Sequence, residues 1–488
     1  HYLDILTDVI REKWDKPALT DYATLDGGPG NSYTYGQMYE RILALCDRFR
    51  QLGLKSGDHI AICGENSTNW AIAYLAVAAY GGVSVAILHS LPYEDIVSLV
   101  KFSDAKLLLI DRNILQEIAA DLCEDVVATC PLEELPLPTK CQQGEVSFSN
   151  LGLDLTASIF YTSGSTGVPK GVMLSTWAIT KGTMDAIAIL PDCYGLQSVC
   201  LLPLAHMTSL LACLLAQLLH AHHIFFVTDY SLGMIPEIMG NTHSYTMVTV
   251  PLFVEKLCEK YAGSLKQILG SDFLQFVLTG AMFNPMVEDF LFQEGIPTVL
   301  AYGSTESMVI SGIRWEQFKI HTSGTLTKNR VVKFAPNGEI LTRGKDVMLG
   351  YYKNPEATAE KFDNEGWFHT GDRGHLDEDG YLYVEGRLEQ DMIVLPSGEN
   401  ISPAKVEAII NACEGVEESI VIARDGKLMA LVVPTTTTTT STTTTTRNEL
   451  LAQINPQLPA YSQLFGIEFL SEPIARTEKK TIKRYLYK

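Results

Sequence analysis

The chain has 488 residues, 46% of them hydrophobic and 19% charged, which is typical of a globular protein with a large buried core. Lys and Arg number 37 against 57 Asp and Glu, so the net charge of −20 argues against general binding to nucleic acid or anionic membranes. No apolar run approaches the roughly eighteen residues of a membrane-spanning helix, and the ten cysteines include no C-x-x-C pair. We therefore expect a cytoplasmic protein without a disulfide framework, while peripheral membrane contact and oligomeric state stay open.

Helical and strand patterns alternate through the first half of the chain, which predicts an α/β architecture. Ile42, Leu45, Cys46 and Phe49 recur at helical spacing, and Gly53 follows at the position of a C-cap glycine. Apolar strands are expected at residues 60–63, 106–110, 224–227, 246–250, 276–278 and 298–301. Polar or glycine-rich turns follow most of these strands, and ligands of open α/β sheets bind at such strand ends.

The pattern changes near residue 386. A strand at 391–395, a helix at 403–413 and strands at 418–423 and 427–433 are enough for a small α+β domain. We therefore predict two domains, residues 1–386 and 387–488, with a hinge within 387–391. The tract 435–446 is all Thr apart from Ser441, and we expect it to be a surface loop or an insertion because it has no apolar face.

The strongest local motif is YTSGSTGVPKG at residues 161–171, between two apolar runs. Its small and hydroxyl residues let backbone N–H groups and hydroxyls surround an anion, and Lys170 adds positive charge. The residues of this predicted phosphate loop are Thr162, Ser163, Gly164, Ser165, Thr166 and Gly167. A hairpin turn would have a similar composition. The loop is not a Walker A motif, because Pro169 stands where that motif requires Gly and a strand is expected to follow.

Two further clusters suit a nucleotide. Tyr302, Gly303, Ser304, Thr305 and Glu306 follow the strand at 298–301, and a ring, hydroxyls and a carboxylate at a strand end suit a base, a phosphate and Mg²⁺. The segment WFHTGD at 367–372 places Asp372 after a Gly turn, where its carboxylate would accept hydrogen bonds from both ribose hydroxyls. Each cluster alone would also fit an ordinary turn or a capping side chain.

The three clusters in this order, followed by YLYVEGR at 381–387 and SGENISPAKVE at 397–407, resemble the adenylate-forming superfamily of acyl-CoA synthetases, luciferases and peptide-synthetase adenylation domains. The resemblance runs from about residue 30 to the C-terminus and includes LLPLAHM at 201–207 and LTGAMFNP at 278–285. It implies an α/β fold with a large multi-sheet N-terminal domain of the acyl-CoA synthetase/luciferase type and a small mobile α+β lid. Within the superfamily, SGEN and LPLAHM are most similar to bacterial long-chain fatty acyl-CoA synthetases.

The resemblance also implies the reaction and its residues. A carboxylate would attack ATP to give acyl-AMP and pyrophosphate, and CoA would then displace AMP. The phosphate loop would hold the β,γ-phosphates, and Thr162 and Glu306 would help to place Mg²⁺. The other implied assignments are Thr305 at the α-phosphate, Gly280, Ala281 and Tyr302 around adenine, Gly303 as a further nucleotide-binding residue, Asp372 and Arg387 at ribose, His206 beside the carboxylate tunnel, and Gly398 and Glu399 where the lid meets CoA.

Two positions depart from the family pattern. One extra residue after Gly386-Arg387 leaves Glu389 or Asp391 as the hinge pivot. The ending RTEKKTIKR at 476–484 puts Thr481 where the family carries its catalytic lysine. We assign that role to Lys480, which a local backbone bulge would deliver.

The acyl pocket is expected near residues 248–253 and at Met308 and Val309, whose apolar side chains suit an acyl tail but also core packing. Our leading interpretation is a ligase that uses ATP, Mg²⁺ and CoA to activate a medium- or long-chain fatty acid. The alternatives are an aromatic or short acid, transfer to an acyl carrier protein, and nucleotide binding without catalysis. The HAHH stretch at 220–223 lacks a fourth ligand, so we do not interpret it as a metal site.

Overall fold

The computed structural model describes residues 1–22, 30–122, 128–138, 148, 152–162, 169–228, 230–281, 283–388, 393–396, 399–401, 403–435, 447–475 and 484–487. The chain divides into two compact units. The first unit contains His1–Tyr161 and Gly171–Gly386, and the second contains Thr162–Lys170 and Arg387–Lys488.

A seven-stranded sheet forms the largest layer of the first unit. Its strands, in spatial order, are Gly350–Tyr351, Lys170–Ser175, Thr156–Thr162, Val83–Ile87, His59–Cys63, Leu107–Ile110 and Ala128–Pro131. The pairs formed by Val83–Ile87, His59–Cys63 and Leu107–Ile110 are parallel, and every residue of Leu107–Ile110 is buried. Continuous apolar runs form strands here because helices cover both faces of a parallel sheet.

Two smaller sheets of the first unit carry further parallel strands. One has the order Ser32–Thr34, Pro17–Asp21, His223–Phe226 and Gln197–Cys200, in which the last three strands run parallel. The other is fully parallel and has the order Thr246–Thr249, Gln275–Leu278 and Thr298–Leu300. The carboxyl ends of these strands are therefore candidate ligand positions.

Two antiparallel sheets follow in the chain. The first consists of Tyr302–Ser304, Met308–Gly312 and Thr325–Leu326. The second has the order Val331–Phe334, Glu339–Arg343, Phe368–Leu376 and Leu382–Arg387.

Several helices of the first unit begin with a side-chain cap. Tyr35–Gln51, for example, starts with a capping box between Thr34 and Gln37, and Gly53 just beyond its end has a left-handed φ of 74°. The α-helices are Tyr2–Glu12, Tyr35–Gln51, Thr68–Tyr80, Tyr93–Phe102, Arg112–Ile118, Thr176–Ile189, Met207–Ser209, Ala216–Leu219, Ile235–Thr242, Pro251–Tyr261, Leu265–Leu269, Pro285–Gln293 and Pro355–Lys361. A π-helical segment, Leu210–Leu215, joins Met207–Ser209 to Ala216–Leu219.

The second unit contains a two-stranded and a three-stranded sheet. Ile393–Val394 pairs with Asn400–Ile401, and the strands Val416–Arg424, Lys427–Pro434 and Gly466–Phe469 form the other sheet. Helices Pro403–Asn411 and Arg447–Ile454 contribute Val406, Ile410 and Leu450 to its core.

The predicted α/β class, with a large multi-sheet part and a small α+β part, is confirmed. Each strand predicted in the first half of the chain is present, with ends that differ by one or two residues. The expected strand after the phosphate loop is also present, as Lys170–Ser175. Within the described parts of the chain, no helix has the length and apolar character needed to cross a bilayer.

Candidate active site

Two side chains assigned to the base and the ribose, 70 residues apart in the chain, meet in the first unit. The hydroxyl of Tyr302 donates a hydrogen bond of 2.8 Å to Asp372 Oδ2. Tyr302 lies at the start of the strand Tyr302–Ser304, and Asp372 lies inside the strand Phe368–Leu376. The ring and the carboxylate thus belong to one polar cluster.

Asp372 lies on a strand bulge, which corrects the prediction that it follows a turn. Glu339 pairs with Arg373 and Leu341 pairs with His369, so the longer strand carries extra residues at this point. Gly371 has a φ of 76°, a left-handed conformation that is common in strand bulges and that glycine adopts most easily. The local sequence resembles a turn because both structures require glycine in that conformation.

Glu339 holds this bulge in place. Its Oε1 accepts a hydrogen bond of 3.0 Å from Gly371 N, and its Oε2 lies 2.9 Å from His369 Nδ1. The hydroxyl of Thr370 completes the arrangement by donating to Ile340 O over 2.7 Å and accepting from Asp372 N over 3.0 Å. Sequence reasoning missed Glu339, although an acidic residue at the start of a buried strand was a usable signal.

The cluster at 302–306 forms a β-hairpin, whereas the sequence predicted a simple strand end. Ser304 and Ser307 lock its turn, since each backbone N–H donates to the hydroxyl of the other serine, over 3.0 and 3.1 Å. A Cβ on Gly303 would lie 2.1 Å from Met308 O. Met308 itself has a φ of 57°, a conformation that is strained for a bulky side chain.

Glu306 has the surroundings of a hard-cation ligand. The hydroxyl of Tyr351 donates to its Oε1 over 3.0 Å, and Met348 N donates to its backbone oxygen over 2.8 Å. Among the described residues, no hydrogen bond is found on Glu306 Oε2. A half-buried carboxylate with one oxygen oriented by Tyr351 fits Mg²⁺, which usually keeps several waters and takes one or two carboxylates.

An apolar pocket adjoins this cluster. It is lined by Ala186, Ile189, Leu190, Met207, Thr208, Leu211, Ala212, Val248, Val277, Thr279, Ala301, Tyr302, Gly303, Met308 and Val309. Val248, Met308 and Val309, which the sequence analysis assigned to an acyl pocket, all line this pocket. Phe253, at the end of the predicted stretch 248–253, lines a different pocket.

A buried ion pair supports one wall of the pocket. Arg330, whose side chain is fully buried, donates to Val309 O over 2.7 Å and lies 2.9 Å from Asp346. The arginine therefore holds the backbone of a lining residue and is itself neutralised.

The other assigned residues of the first unit lie around these features. Thr305 is in the hairpin turn, and Gly280, with a φ of 87°, and Ala281 follow the strand Gln275–Leu278. His206 is exposed and immediately precedes the pocket residues Met207 and Thr208.

Asn66 is a second residue that sequence reasoning missed. Its side chain is nearly buried, donates to Leu202 O over 2.9 Å and accepts from Leu204 N over 2.8 Å. It therefore ties the segment before His206 to the loop after the strand His59–Cys63. No local pattern marks such a residue, because its partners are more than 130 positions away.

The remaining assigned residues belong to the second unit. The hydroxyl of Thr162 donates to Lys170 O over 3.5 Å, and Arg387 ends the strand Leu382–Arg387. Glu399 O accepts a hydrogen bond of 2.9 Å from Leu395 N. Ser163, Gly164, Ser165, Thr166, Gly167, Gly398 and Lys480 lie outside the described residues, as do the hinge candidates Glu389 and Asp391 and most of the Thr tract.

The HAHH histidines have structural partners. His222 Nδ1 accepts from Leu196 N over 2.9 Å, and His223 Nε2 lies 2.7 Å from Thr20 Oγ1. Burial lowers the pKa of His222 to about 3 and that of His223 to about 4, so both rings are neutral near pH 7. The described part of the chain contains no group of three potential metal-binding side chains.

Comparison with known proteins identifies the family. The AMP-binding enzyme family matches residues 6–352, and the C-terminal domain of AMP-binding enzymes matches residues 390–487. The chain belongs to the AMP-binding enzymes. Together the two matches cover most of the chain, which confirms the adenylate-forming superfamily and the acyl-CoA synthetase/luciferase-type fold inferred from the motifs.

Individual relatives are similar over most of this AMP-binding enzyme. A 2-succinylbenzoate–CoA ligase from Listeria innocua is 26% identical over 403 residues, 81% of each chain. A 4-coumarate–CoA ligase from Arabidopsis thaliana is 25% identical over 509 residues, covering 97% of this chain and 89% of the relative.

Solved structures show the same fold. An o-succinylbenzoate CoA synthetase from Bacillus subtilis superposes with a TM-score of 0.81 at 22% identity, over 99% of this chain and 97% of the other. An amide bond synthetase from Marinactinospora thermotolerans superposes with a TM-score of 0.82 at 21% identity, over 100% and 98%. Adenylate-forming CoA ligases take ATP and CoA as substrates and use Mg²⁺, and the single carboxylate of Glu306 is compatible with that ion.

Proposed function

We propose that this enzyme joins an aromatic carboxylic acid to CoA through an acyl-AMP intermediate. The observation that carries the proposal is that Tyr302 and Gly303 line the apolar pocket, while the Tyr302 hydroxyl bonds Asp372 in the nucleotide cluster. An acid in the pocket would therefore place its carboxylate next to a bound nucleotide. Holding two reactants side by side supplies much of the rate enhancement in such a transfer.

The roles of the chain's own groups follow from their contacts. Tyr302 would orient the Asp372 carboxylate toward a ribose, and Gly303 would let the strand that carries Met308 pack closely beside its own strand. Bound Mg²⁺ would neutralise phosphate charge, held by the Glu306 carboxylate that Tyr351 orients. The phosphate loop at 162–167 and Lys480 keep their sequence-based assignments as part of this proposal.

An aromatic acid replaces the fatty acid of our leading sequence interpretation. The relatives reported above act on 2-succinylbenzoate and 4-coumarate, both aromatic, which supports the alternative that the sequence left open. Apolar side chains do not by themselves separate the two classes, because a ring and an alkyl chain bury similar surface.

The pocket chemistry further favours an acid with an uncharged tail. None of the fifteen described residues that line the pocket carries a charge, and its polar side chains are those of Thr208, Thr279 and Tyr302. The second carboxylate of a 2-succinylbenzoate would lose water there without gaining a cation. An aryl acid with one carboxylate and a hydroxyl or hydrogen on its ring would bury its ring without that penalty.

The test is a panel of acids assayed for pyrophosphate release and CoA thioester formation. We expect kcat/KM for cinnamate or 4-coumarate to exceed that for 2-succinylbenzoate and for palmitate by about tenfold or more, the effect of roughly 1.4 kcal/mol. A preference for palmitate would restore the fatty-acid interpretation, and acylation of a carrier protein without CoA consumption would exclude the proposed acceptor.

A matched pair of variants tests the charge argument. Thr208→Lys should raise kcat/KM for 2-succinylbenzoate relative to cinnamate, because it adds a cation to the pocket wall. Thr208→Met, which adds similar length without charge, should leave that ratio within about threefold of the parent. Equal ratios for the two variants would contradict the assignment of the pocket to the acid.

A further inference from the structure

One wall of the acid pocket is formed by the π-helical segment Leu210–Leu215. Leu211 and Ala212 of this segment line the pocket, together with Met207 and Thr208 just before it. A π-helical turn has hydrogen bonds that span five residues instead of four, and such turns are rare and often found at functional sites. The conformation of this short segment therefore decides where part of the pocket wall lies.

The end of the π-helical segment leaves one carbonyl group without a backbone donor. Ala216 N donates to Leu211 O, five residues earlier, whereas His220 N donates to Ala216 O, four residues earlier. A change from the longer to the shorter spacing passes over one carbonyl oxygen. Ala212 O, the next in the ladder after Leu211 O, accepts a hydrogen bond of 2.8 Å from Gln217 Nε2. A side chain thus supplies the donor that the backbone of a pocket residue lacks.

Gln217 is itself held in one orientation. Its side chain is fully buried, and its Oε1 accepts a hydrogen bond of 2.9 Å from the hydroxyl of Tyr245. The ring of Tyr245 packs against that of His222, with centroids 4.6 Å apart. Only the nitrogen of a glutamine amide can donate to a carbonyl oxygen, so a flipped amide would leave Ala212 O unpaired.

The π-helical segment is also packed closely against the helix Thr176–Ile189. A Cβ on Gly182 of that helix would lie 2.8 Å from Leu211 Cδ1 and 2.5 Å from Met308 Cε. The helix therefore approaches the segment and the 302–312 hairpin more closely than a larger residue would permit. Any shift of Leu211 would disturb this contact, so the position of the segment has little tolerance.

We propose that Gln217 is a positioning residue for the acid: it keeps Leu210–Leu215 π-helical by bonding Ala212 O, and thereby fixes the width of the pocket and the ring size that the enzyme accepts. The inference rests on the proposed use of this pocket for the acid. Without Gln217 the buried carbonyl of Ala212 would be unpaired, which favours a rearranged segment in which a backbone N–H takes its place. Such a rearrangement moves Leu211 and Ala212, and with them the pocket wall.

The experiment compares cinnamate with 3-(2-naphthyl)acrylate, which has one more fused ring on the same carboxylate arm, in acid-dependent pyrophosphate release. Gln217→Met keeps a side chain of similar length that cannot donate to Ala212 O. We expect the ratio of kcat/KM for cinnamate to that for the naphthyl acid to fall about tenfold, because a wall that is no longer fixed admits the larger ring. KM for ATP should stay within about twofold of the parent.

A double variant separates positioning from stability. Gln217→Met also leaves the buried hydroxyl of Tyr245 without its acceptor, which lowers the melting temperature. Adding Tyr245→Phe removes that hydroxyl and should restore part of the melting temperature. The acid ratio should remain at the value of Gln217→Met, because Ala212 O is still unpaired. Recovery of the ratio together with the melting temperature would overturn the inference.

Thr242→Val is the matched control. Thr242 is fully buried, and its hydroxyl donates to Ile238 O over 2.7 Å within Ile235–Thr242, a helix that contributes no described residue to the acid pocket. Valine removes a buried bond from a side chain to a helix carbonyl and should lower the melting temperature while leaving the acid ratio within about twofold. The same ratio shift in Thr242→Val as in Gln217→Met would also overturn the inference.

A binding measurement separates this inference from the proposed function. The dissociation constants of the two acids are determined by calorimetric titration in the presence of AMP. A shift of about tenfold in their ratio in Gln217→Met supports the inference even if no acyl-CoA forms, which would refute the proposed function alone. Thioester formation from cinnamate with an unchanged ratio of dissociation constants would refute the inference alone. If neither acid binds to the parent enzyme, both are refuted.

Discussion

Glu339 accepts a hydrogen bond from the strand bulge that presents Asp372 and is itself almost buried. Removing its carboxylate leaves the N–H of Gly371 without its acceptor, and an unsatisfied buried group costs about 1–3 kcal/mol. We therefore regard Glu339 as a positioning residue for Asp372. Substitution of Glu339 should therefore change KM for ATP and not KM for the acid.

Glu339→Ala is predicted to raise KM for ATP about tenfold or more and to leave KM for the acid within about threefold. Glu339→Gln keeps an oxygen acceptor for Gly371 N and should recover most of the loss. Steady-state kinetics with each substrate varied in turn gives both constants.

Glu385→Ala provides the control for a carboxylate in the same sheet. Glu385 is exposed and pairs with Arg373 and His375, so its loss should affect neither KM. If Glu339→Ala lowers the melting temperature without changing KM for ATP, Glu339 stabilises the fold and does not position Asp372.

The hairpin formed by Tyr302–Ser304 and Met308–Gly312 is the element that joins the pocket to the nucleotide cluster. Its strands approach so closely at Gly303 that a methyl group would meet the backbone oxygen of Met308. Met308 also holds a left-handed conformation, so the hairpin has little freedom to adjust.

Gly303→Ala is predicted to reduce kcat/KM for pyrophosphate release by about a hundredfold or more, because the strands must separate and Tyr302 must shift. Gly240→Ala is the matched control. Gly240 lies in the helix Ile235–Thr242 with nothing within 4 Å of an added Cβ, so alanine should be neutral or slightly stabilising. Near-parental activity of Gly303→Ala would show that the hairpin is not rigid at this point.

At the scale of the whole molecule, an excess of acidic groups links stability to pH. Burial, together with the nearby Glu133 and Glu65, raises the pKa of Asp111 to about 6, although a hydrogen bond from Glu65 N opposes the shift. A carboxyl with a raised pKa in the folded state contributes stability at pH values below its unfolded pKa of about 4. That contribution is lost as the pH rises through about 6.

Asp111→Asn is therefore predicted to raise the melting temperature relative to the parent at pH 8, by about 1–2 °C. The difference should shrink or reverse at pH 5.

Asp58→Asn should behave in the opposite way. Despite partial burial, the hydrogen bond from Lys106 lowers the pKa of Asp58, so the substitution should destabilise near neutral pH and matter less in acid. A difference in melting temperature between Asp111→Asn and the parent that stays constant from pH 5 to pH 8 would contradict the raised pKa of Asp111.

The sequence by itself determined the α/β class, many of the helices and strands, and the family of this enzyme. Apolar periodicity, capping residues and turn glycines act over a few positions, so the helix Tyr35–Gln51 with its Gly53 cap and the strand Leu107–Ile110 could be predicted locally. The order of the phosphate loop and the clusters at 302–306 and 367–372 was enough to identify the superfamily.

Only the tertiary structure decided how the site is assembled. The bonds from Tyr302 to Asp372, from Gly371 to Glu339 and from Tyr351 to Glu306 join residues 32 to 70 positions apart. Such partners depend on strand register and on the bulge at Gly371, and neither leaves a periodic signal in the sequence. The sequence did not decide the class of acid, because apolar side chains can line a pocket for an acyl chain, line a pocket for an aromatic ring or pack in a protein core. Only the tertiary structure shows which residues line the pocket together and that none of them is charged.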